Sequence, residues 1–408
     1  MRSAAALAGV SLLLAAAAEL AGPAALFWSC VGLLCYGQLG YPAGLLLLAR
    51  LRPRPYRRAQ STPGLSLLIV AHDEGSRIDA RLANALALDY PRERLEVVLA
   101  SDGSSDDTVE RARRYEARGV RVLAFPVRRG KPSVLNQAIP ACRGEVVVLA
   151  DARQRFDAGA LRALAAAFAD PAVGAVSGEL VLEGTQGSAA GAGVGLYWRL
   201  EKALRAQESR LDSCVGATGA IYALRRELFE PIPPDTILDD VVIPLRIARR
   251  GYRVVFEAGA RAFDAVAGAR QEFRRKARTI AGNFQLFARE RWLLSPRANR
   301  LWLQTVSHKL LRLAMPLLLG CALASNVALA ASGAPFYRAS LAGQLAFYAA
   351  AWLGRERREW APSSLRRATA AAHVVCLLAL ATLVGFHRFL SGGQAATWER
   401  ASEPRIAG

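Results

Sequence analysis

The chain has 408 residues, 53% of them apolar, and a formal charge of +19. It is too long for one small domain and too apolar for an ordinary soluble protein. The basic excess suits nucleic acid, anionic lipid or an anionic substrate. No nucleic-acid-binding signature accompanies it, and much of it flanks apolar runs, so a membrane is the expected partner and nucleic acid is not.

Residues 4–18 form an Ala/Leu run behind Arg2, which reads either as a signal peptide or as a first membrane helix. Gly22-Pro23 breaks it. The uncharged run 24–49 is long enough to span about 30 Å of hydrocarbon. Arg50, Arg52, Arg54, Arg57 and Arg58 follow, and such a flank belongs in the cytoplasm. Prolines 53, 55 and 63 stiffen this basic linker. The expected organisation is a membrane segment at 1–50, the linker at 51–64, a soluble domain at 65–300, membrane helices at 301–390 and a tail at 391–408. The six cysteines show neither metal-ligand spacing nor a disulfide framework, and four of them lie in apolar runs, where a thiol is a small hydrophobe. A reducing compartment is expected for the middle domain.

Within that domain, Leu65–Ala71 reads as a strand, ended by His72-Asp-Glu-Gly75. Residues 78–88 have helical spacing. Leu95–Ala100 is a second strand, ending in Ser101-Asp102-Gly103-Ser104. A helix to Ala117 and a strand over 120–125 follow. Gly130-Lys131 opens another helix, and Val146–Leu149 is a strand that ends at Asp151. Apolar on both faces, these strands suit a parallel sheet, and the β-α alternation predicts a Rossmann-like, mostly parallel α/β domain. Ligands of such sheets bind at the carboxyl ends of the strands, which is where Asp151 stands. No G-x-G-x-x-G turn is present, so a dinucleotide is not expected.

The order of these loops resembles family 2 inverting glycosyltransferases. Val70-Ala-His-Asp-Glu74 resembles their Pro-x-x-Asn-Glu turn and Ser101-Asp102-Gly103-Ser104 their Asp-Asp-Gly-Ser loop. Gly130-Lys131 with Asn136 is similar to their Gly-Lys-x-x-x-Leu-Asn segment. Asp151-Ala-Arg153 falls at their Asp-x-Asp, Leu238-Asp239-Asp240 at their Thr-Glu-Asp, and Arg275-Lys-Ala-Arg278-Thr279 at their Gln-x-x-Arg-Trp. The layout is that of poly-N-acetylglucosamine, hyaluronan and cellulose synthases. The resemblance implies a GT-A-like domain set between N- and C-terminal membrane helices, in the inner or plasma membrane with its catalytic domain cytoplasmic. It implies transfer of a sugar from a nucleotide-sugar, a UDP-sugar by preference, to a polysaccharide or lipid acceptor.

By the same resemblance Asp240 is the general base and Asp239 its neighbour. Glu74, Asp102, Lys131, Asp151 and Arg153 belong to the donor pocket, and Arg275 and Arg278 grip the diphosphate or the acceptor. Asp151 would also hold a Mg2+ or Mn2+ ion, which helps a diphosphate to leave. Plainer readings stand beside these. Asp239-Asp240 suits the positive start of a helix. The Arg274–Arg278 cluster suits anionic lipid. Lys131 could be a solvated loop residue, and His72, His308, His373 and His387 structural.

Two departures matter. Arg153 replaces the second acid of Asp-x-Asp, so a metal loses one ligand and Arg153 itself could neutralise the diphosphate. Thr279 replaces an aromatic acceptor platform, which leaves transfer to a lipid or short acceptor open and allows a pseudoenzyme that binds nucleotide-sugar without turnover. Small residues at Gly216–Ala223 would let a sugar approach the backbone. A Gly/Ala loop at 184–195 precedes an amphipathic helix over 197–210. At the C-terminal side, residues 310–331, 336–353 and 368–389 are candidate spans. Arg355, Arg357, Arg358, Arg366 and Arg367 place the loop between the second and third in the cytoplasm. Trp398 faintly resembles a cytoplasmic gating segment, whereas three full crossings would leave it outside.

Overall fold

The computed structural model describes residues 22–183, 189–265, 268–355 and 363–395, with the side chains of 189–198, 269 and 363 excepted. The run 4–18, the 184–188 part of the Gly/Ala loop, Arg357, Arg358 and Trp398 lie outside the described residues. The chain divides into two compact units. One comprises Met1–Leu51, Thr185–Leu204 and Ala267–Gln394; the other comprises Arg52–Gly184, Arg205–Val266 and Ala395–Gly408.

The second unit is an eight-stranded mixed sheet with helices. Its elements are β1 (Leu65–Ala71), α2 (Gly75–Leu86), β2 (Leu95–Asp102), α3 (Thr108–Arg113), β3 (Val120–Phe125), α4 (Lys131–Ala141), β4 (Val146–Asp151), β5 (Arg155–Phe156), α5 (Ala160–Ala167), β6 (Val173–Glu183), β7 (Ile221–Arg225), α7 (Asp239–Arg249) and β8 (Arg253–Ala265). Between β6 and β7 runs α6 (Ala189–Leu211), whose last turns belong to this unit. The strand order is β3-β2-β1-β4-β7-β6-β8-β5. The first four strands are mutually parallel, β7 runs against β4 and β6, and β6 and β8 are parallel.

All seven residues of β1 are buried, as are the first five of β4. That is why both read as continuous apolar runs rather than alternations. Leu65, Leu67 and Ile69 pack with Ile78 and Leu82 of α2 and Leu161 and Leu164 of α5. Each such side chain contributes about 1.5–3 kcal/mol by leaving water. From β1 the chain builds outward through β2 and β3, then returns to β4 on the other side of β1. This reversal leaves a crevice at the carboxyl ends of β1 and β4, with Val70 level with Asp151. Because β7 is antiparallel, its first residue, Ile221, lies level with Ala150. The loop before β7 therefore reaches the same edge.

The strands β6 and β8 are not legible as apolar runs, since glycines and charges interrupt them. The helix expected to reach Ala117 ends at Arg113, with a short 3-10 turn at Glu116–Arg118. The basic linker runs along its own unit. Tyr56 and Arg58 both meet the Glu257 carboxylate, at 3.1 and 3.0 Å, and the Arg57 amide meets Asp170 at 3.0 Å.

The first unit holds α1 (Gly22–Leu51), α8 (Ala269–Arg289), α9 (Trp302–Ala331), α10 (Pro335–Leu353) and α11 (Ser363–Leu390). Among the described residues, α1, α9 and Ser364–Leu390 are long and apolar enough to cross a membrane. Both α1 and α9 contain a π-helical turn, at Tyr36–Gly40 and Thr305–Leu310, and the two meet where the Tyr36 and Ser307 hydroxyls lie 2.8 Å apart. The Glu201 carboxylate accepts from Arg312 at 2.8 Å and meets His308 Nε2 at 3.1 Å, so His308 has a structural partner, as expected. Gly385 lets α11 close on α8, because a Cβ there would stand 2.8 Å from the Ala277 carbonyl.

One side chain fixes the segment just after Asp151. The Asn84 amide accepts from the Phe156 N–H at 2.8 Å and donates to its carbonyl at 3.0 Å. Asn84→Ala leaves both backbone groups without a partner, at about 1–3 kcal/mol each. Thermal unfolding of the purified full chain should fall by roughly 5–10 °C; an unchanged transition would show that the clamp contributes nothing.

Candidate active site

The first two loops at the carboxyl edge are laced together. The Asp73 carboxylate accepts from the Ser105 N–H at 2.7 Å, while Gly75 N donates to Asp106 at 3.0 Å and Glu74 N to Thr108 Oγ1 at 2.8 Å. Burial alone would raise the Asp73 pKa, but the Ser105 N–H, His72 and the Asp106 N–H outweigh it and hold it low. Asp73 also adopts φ 52°, an uncommon left-handed backbone. Gly75 leaves room for the Asp107 carboxylate, which a Cβ there would push aside. His72 is packed, its Nδ1 2.8 Å from the Asp102 carbonyl.

Asp102 is buried, and both its oxygens are used on backbone. They accept from Arg129 N at 2.7 Å and Gly130 N at 2.9 Å. It thus fixes the turn that starts α4, where Gly130 has φ 89°. A cavity of about 100 Å³ adjoins it, lined among others by Phe125, Val127, Arg129, Ser133 and Gln137.

The turn delivers Lys131 into the crevice. Lys131 is not a solvated loop residue: it is 8% exposed, with Nζ 2.9 Å from Asp151 and 3.5 Å from Asp239. Burial acts to lower its pKa, but Asp151, Asp239 and Asp240 together raise it above the ordinary lysine value. The Tyr222 hydroxyl donates to the same Asp239 oxygen at 3.4 Å. Burial, then Asp239 and Asp240, push the Tyr222 pKa well up, so it stays a neutral donor. Sequence reasoning passed over Tyr222. Its signal was a tyrosine in a short apolar strand, where a buried hydroxyl needs a partner.

Asp239 and Asp240 form the first turn of α7, behind Leu238 at the N-cap. The Asp240 carboxylate accepts from Gly219 N at 2.9 Å, and its carbonyl from Ala217 N at 2.7 Å. A side chain at 219 would intrude, with its Cβ 2.8 Å from an Asp240 oxygen. The small residues at Gly216–Ala220 thus serve the close approach of Asp240.

Arg153 Nε is 3.0 Å from Asp264, on β8, which also accepts from Gln154 at 3.0 Å. Glu74 pairs with Arg77 at 3.1 Å. Burial raises the Glu74 pKa, against the lowering by Arg77 and Arg153. Asp264 was not found from the sequence because β8 itself was not. Lys131, Asp151, Asp239 and Asp240 are thus brought together in one unit, whereas Arg275 and Arg278 lie on α8, in the other. Among the described residues no group of three or more His, Cys, Asp or Glu is placed to hold a metal.

Residues 66–232 match the family model described as glycosyl transferase family 2. The chain carries a family 2 glycosyltransferase domain. Its similarity to poly-beta-1,6-N-acetyl-D-glucosamine synthase of Staphylococcus aureus is 24% identity over 212 residues, 51% of each chain. The chain thus spans about half the length of that curated relative. It is 32% identical over 131 residues to beta-monoglucosyldiacylglycerol synthase of Trichormus variabilis, 31% of this chain and 28% of that one. Among solved structures, a mannosyltransferase from Pyrobaculum calidifontis in complex with GDP-Man and Mn2+ superposes with a TM-score of 0.65. It shares 26% identity, over 88% of this chain and 99% of that one. The glycosyltransferase domain accordingly has the GT-A fold.

The raised Lys131 pKa carries a sign. Its ion bridge is fully present below the unfolded lysine value of 10.5 and is lost only as pH rises through the higher folded value. Lys131→Met leaves the buried Asp239 and the partly exposed Asp151 without their shared cation, and breaking such a pair costs about 3 kcal/mol, the lower end because Asp151 still reaches water. Thermal unfolding of wild type and variant at about pH 7, 8 and 9 should show a constant gap. A gap that widens by about pH 9 would mean that the folded-state pKa of Lys131 is depressed rather than raised.

Proposed function

We propose that this protein is a membrane-embedded inverting glycosyltransferase that moves a sugar from a UDP-sugar to a polysaccharide or lipid acceptor. The observation that carries this is the grouping of Lys131, Asp151, Asp239 and Asp240 at the carboxyl edge. The cavity beside Asp102, with the Phe125 ring and the polar groups of Arg129, Ser133 and Gln137, suits a nucleobase. Lys131, and Arg153 once released from Asp264, bear on the diphosphate as it gains charge. Asp240, oriented by the Gly219 N–H, takes the proton of the acceptor hydroxyl. Arg275 and Arg278 grip the diphosphate or the acceptor end.

The residues fit a metal only if the donor completes its shell. Asp151 would be the carboxylate that holds Mg2+ or Mn2+, with phosphate oxygens and water as the remaining ligands, as magnesium accepts. Such an ion, when bound, neutralises the leaving diphosphate. A lipid acceptor is the second reading, supported by the likeness to the monoglucosyldiacylglycerol synthase.

Asp240→Asn should lower turnover by about 10²–10⁴ while donor affinity stays within a few-fold, and Asp151→Ala should lose donor affinity. Nucleotide release and calorimetry with UDP-glucose, UDP-N-acetylglucosamine and GDP-mannose, with and without Mn2+, separate these effects. Wild-type turnover in Asp240→Asn would sink the base assignment, and nucleotide-sugar binding without turnover in the wild type would favour the pseudoenzyme.

The catalytic domain faces the cytoplasm, where nucleotide sugars are made, on the side of the arginines after Ala49. The turn from Ala331 to Pro335 is short, and the Asn326 amide meets Ser340 at 3.2 Å and Gln344 at 2.8 Å. These contacts set α10 beside α9; α10 is not among the three helices long and apolar enough to cross by themselves, and our proposal is that it crosses as their neighbour, which with α11 would put the tail outside. A single cysteine at Ser391 in a cysteine-free chain should react with a membrane-impermeant thiol reagent on intact cells. Protection until the cells are opened would mean that one C-terminal helix does not cross.

A further inference from the structure

Asp240 is oriented by backbone, and that backbone is tethered to α6. We infer that Arg205, on the last turns of α6, is a positioning residue for Asp240, acting through the Thr218 hydroxyl and the Ala217–Gly219 turn. The inference rests on the reading of Asp240 as the base.

Two donors define where Asp240 sits, Ala217 N on its carbonyl at 2.7 Å and Gly219 N on its carboxylate at 2.9 Å. Thr218 lies between them in sequence. Its own N–H donates to Ser177 Oγ at 3.0 Å, and its carbonyl accepts from Ile221 N at 3.0 Å, the first residue of β7. Its hydroxyl accepts from Arg205 Nη1. Ser177 is wholly buried and Thr218 is 8% exposed, so this guanidinium reaches into a buried polar network. Bringing a charge there is costly unless its hydrogen bonds are made, and such a network has little slack. The same turns of α6 grip the loop twice more. Cys214 Sγ donates to the Arg205 carbonyl at 3.3 Å, and Val215 N to Glu208 Oε2 at 3.4 Å. Gly216, at φ 107°, lets the chain bend back toward Val241. A displacement of Arg205 is therefore passed to the Gly219 N–H, and a carboxylate that has lost its aimed donor is misplaced for proton transfer. Angular and distance errors of that size weigh on the chemical step rather than on donor binding.

The test uses Arg205→Met, Arg205→Lys, Thr218→Val and the Arg205→Met/Thr218→Val pair in the full chain in detergent. The donor is whichever of UDP-glucose, UDP-N-acetylglucosamine and GDP-mannose the wild type turns over. Arg205→Met and Thr218→Val should each lower kcat about 10-fold with donor KM within about two-fold, and the pair should lose no more than either alone. Arg205→Lys should recover part of the loss. In parallel, amide hydrogen exchange at Ala217 and Gly219 should quicken in Arg205→Met. Wild-type kcat in both single variants, additive losses in the pair, or equal losses in kcat and donor affinity would each overturn the proposal. If the wild type turns over none of these donors, the transferase reading fails by itself. Hydrogen exchange then still decides the tether: faster exchange at Gly219 upholds it and unchanged protection ends it.

Discussion

The site depends on one buried cation between carboxylates that would otherwise repel. Lys131 touches Asp151, at the end of β4, and Asp239, at the start of α7, two residues far apart in the chain. Asp239 could not be buried charged without it, and Lys131 could not be buried charged without Asp239 and the partly exposed Asp151. Its placement rests in turn on Asp102, whose two oxygens hold the Arg129–Gly130 turn. Gly130 supplies the positive φ that aims α4 inward. The acid loop expected to hold the donor nucleoside is thus also what seats the lysine.

The carboxyl edge is stiff because its loops are each other's hydrogen-bond partners. Asp73 and Asp106 each serve the backbone of the neighbouring loop, and Asn84 clamps both backbone groups of Phe156. Polar side chains take the place of ladder bonds where the strands have ended. Glycines at 75, 103 and 219 stand where a Cβ would meet an aspartate oxygen or a neighbouring amide. The helical unit uses the same economy of polar groups in an apolar setting. Glu201 is matched by His308 and Arg312, and Asn326 by Ser340 and Gln344. Interhelical polar contacts of this kind hold helices together where apolar burial gives no preference.

The departures from the family pattern acquire physical content here. Arg153 does not leave an acid vacancy; it pairs with Asp264, which arrives from β8. A positive group therefore stands where the family pattern has its second acid, and a carboxylate stands beside it. Thr279 lies exposed on α8. Asp239 and Asp240 benefit from the start of α7, as a plain helix opening would, yet Asp240 also spends its carboxylate on the Gly219 N–H. The helix start and the hydrogen bond to the turn before β7 act on the same carboxylate.

The sequence by itself determined the β-α alternation, the central strands, the acid-ended loops and the long apolar helices. These are local signals: apolar runs buried on both faces, glycines at forced turns, arginines beside long apolar stretches. It also marked Lys131, Asp151, Asp239 and Asp240 separately, by order along the chain. Only the tertiary structure decided that Lys131 is shared by Asp151 and Asp239, that Tyr222 joins them, and that Asp102 spends itself on a turn. The same holds for Arg153 with Asp264, and for Arg205 with Thr218. Strands β6 and β8 escaped because charges and glycines break their pattern, and their burial comes from neighbours rather than from their own composition. Pairings across a hundred residues depend on strand order and on the reversal at β7, which no local propensity encodes.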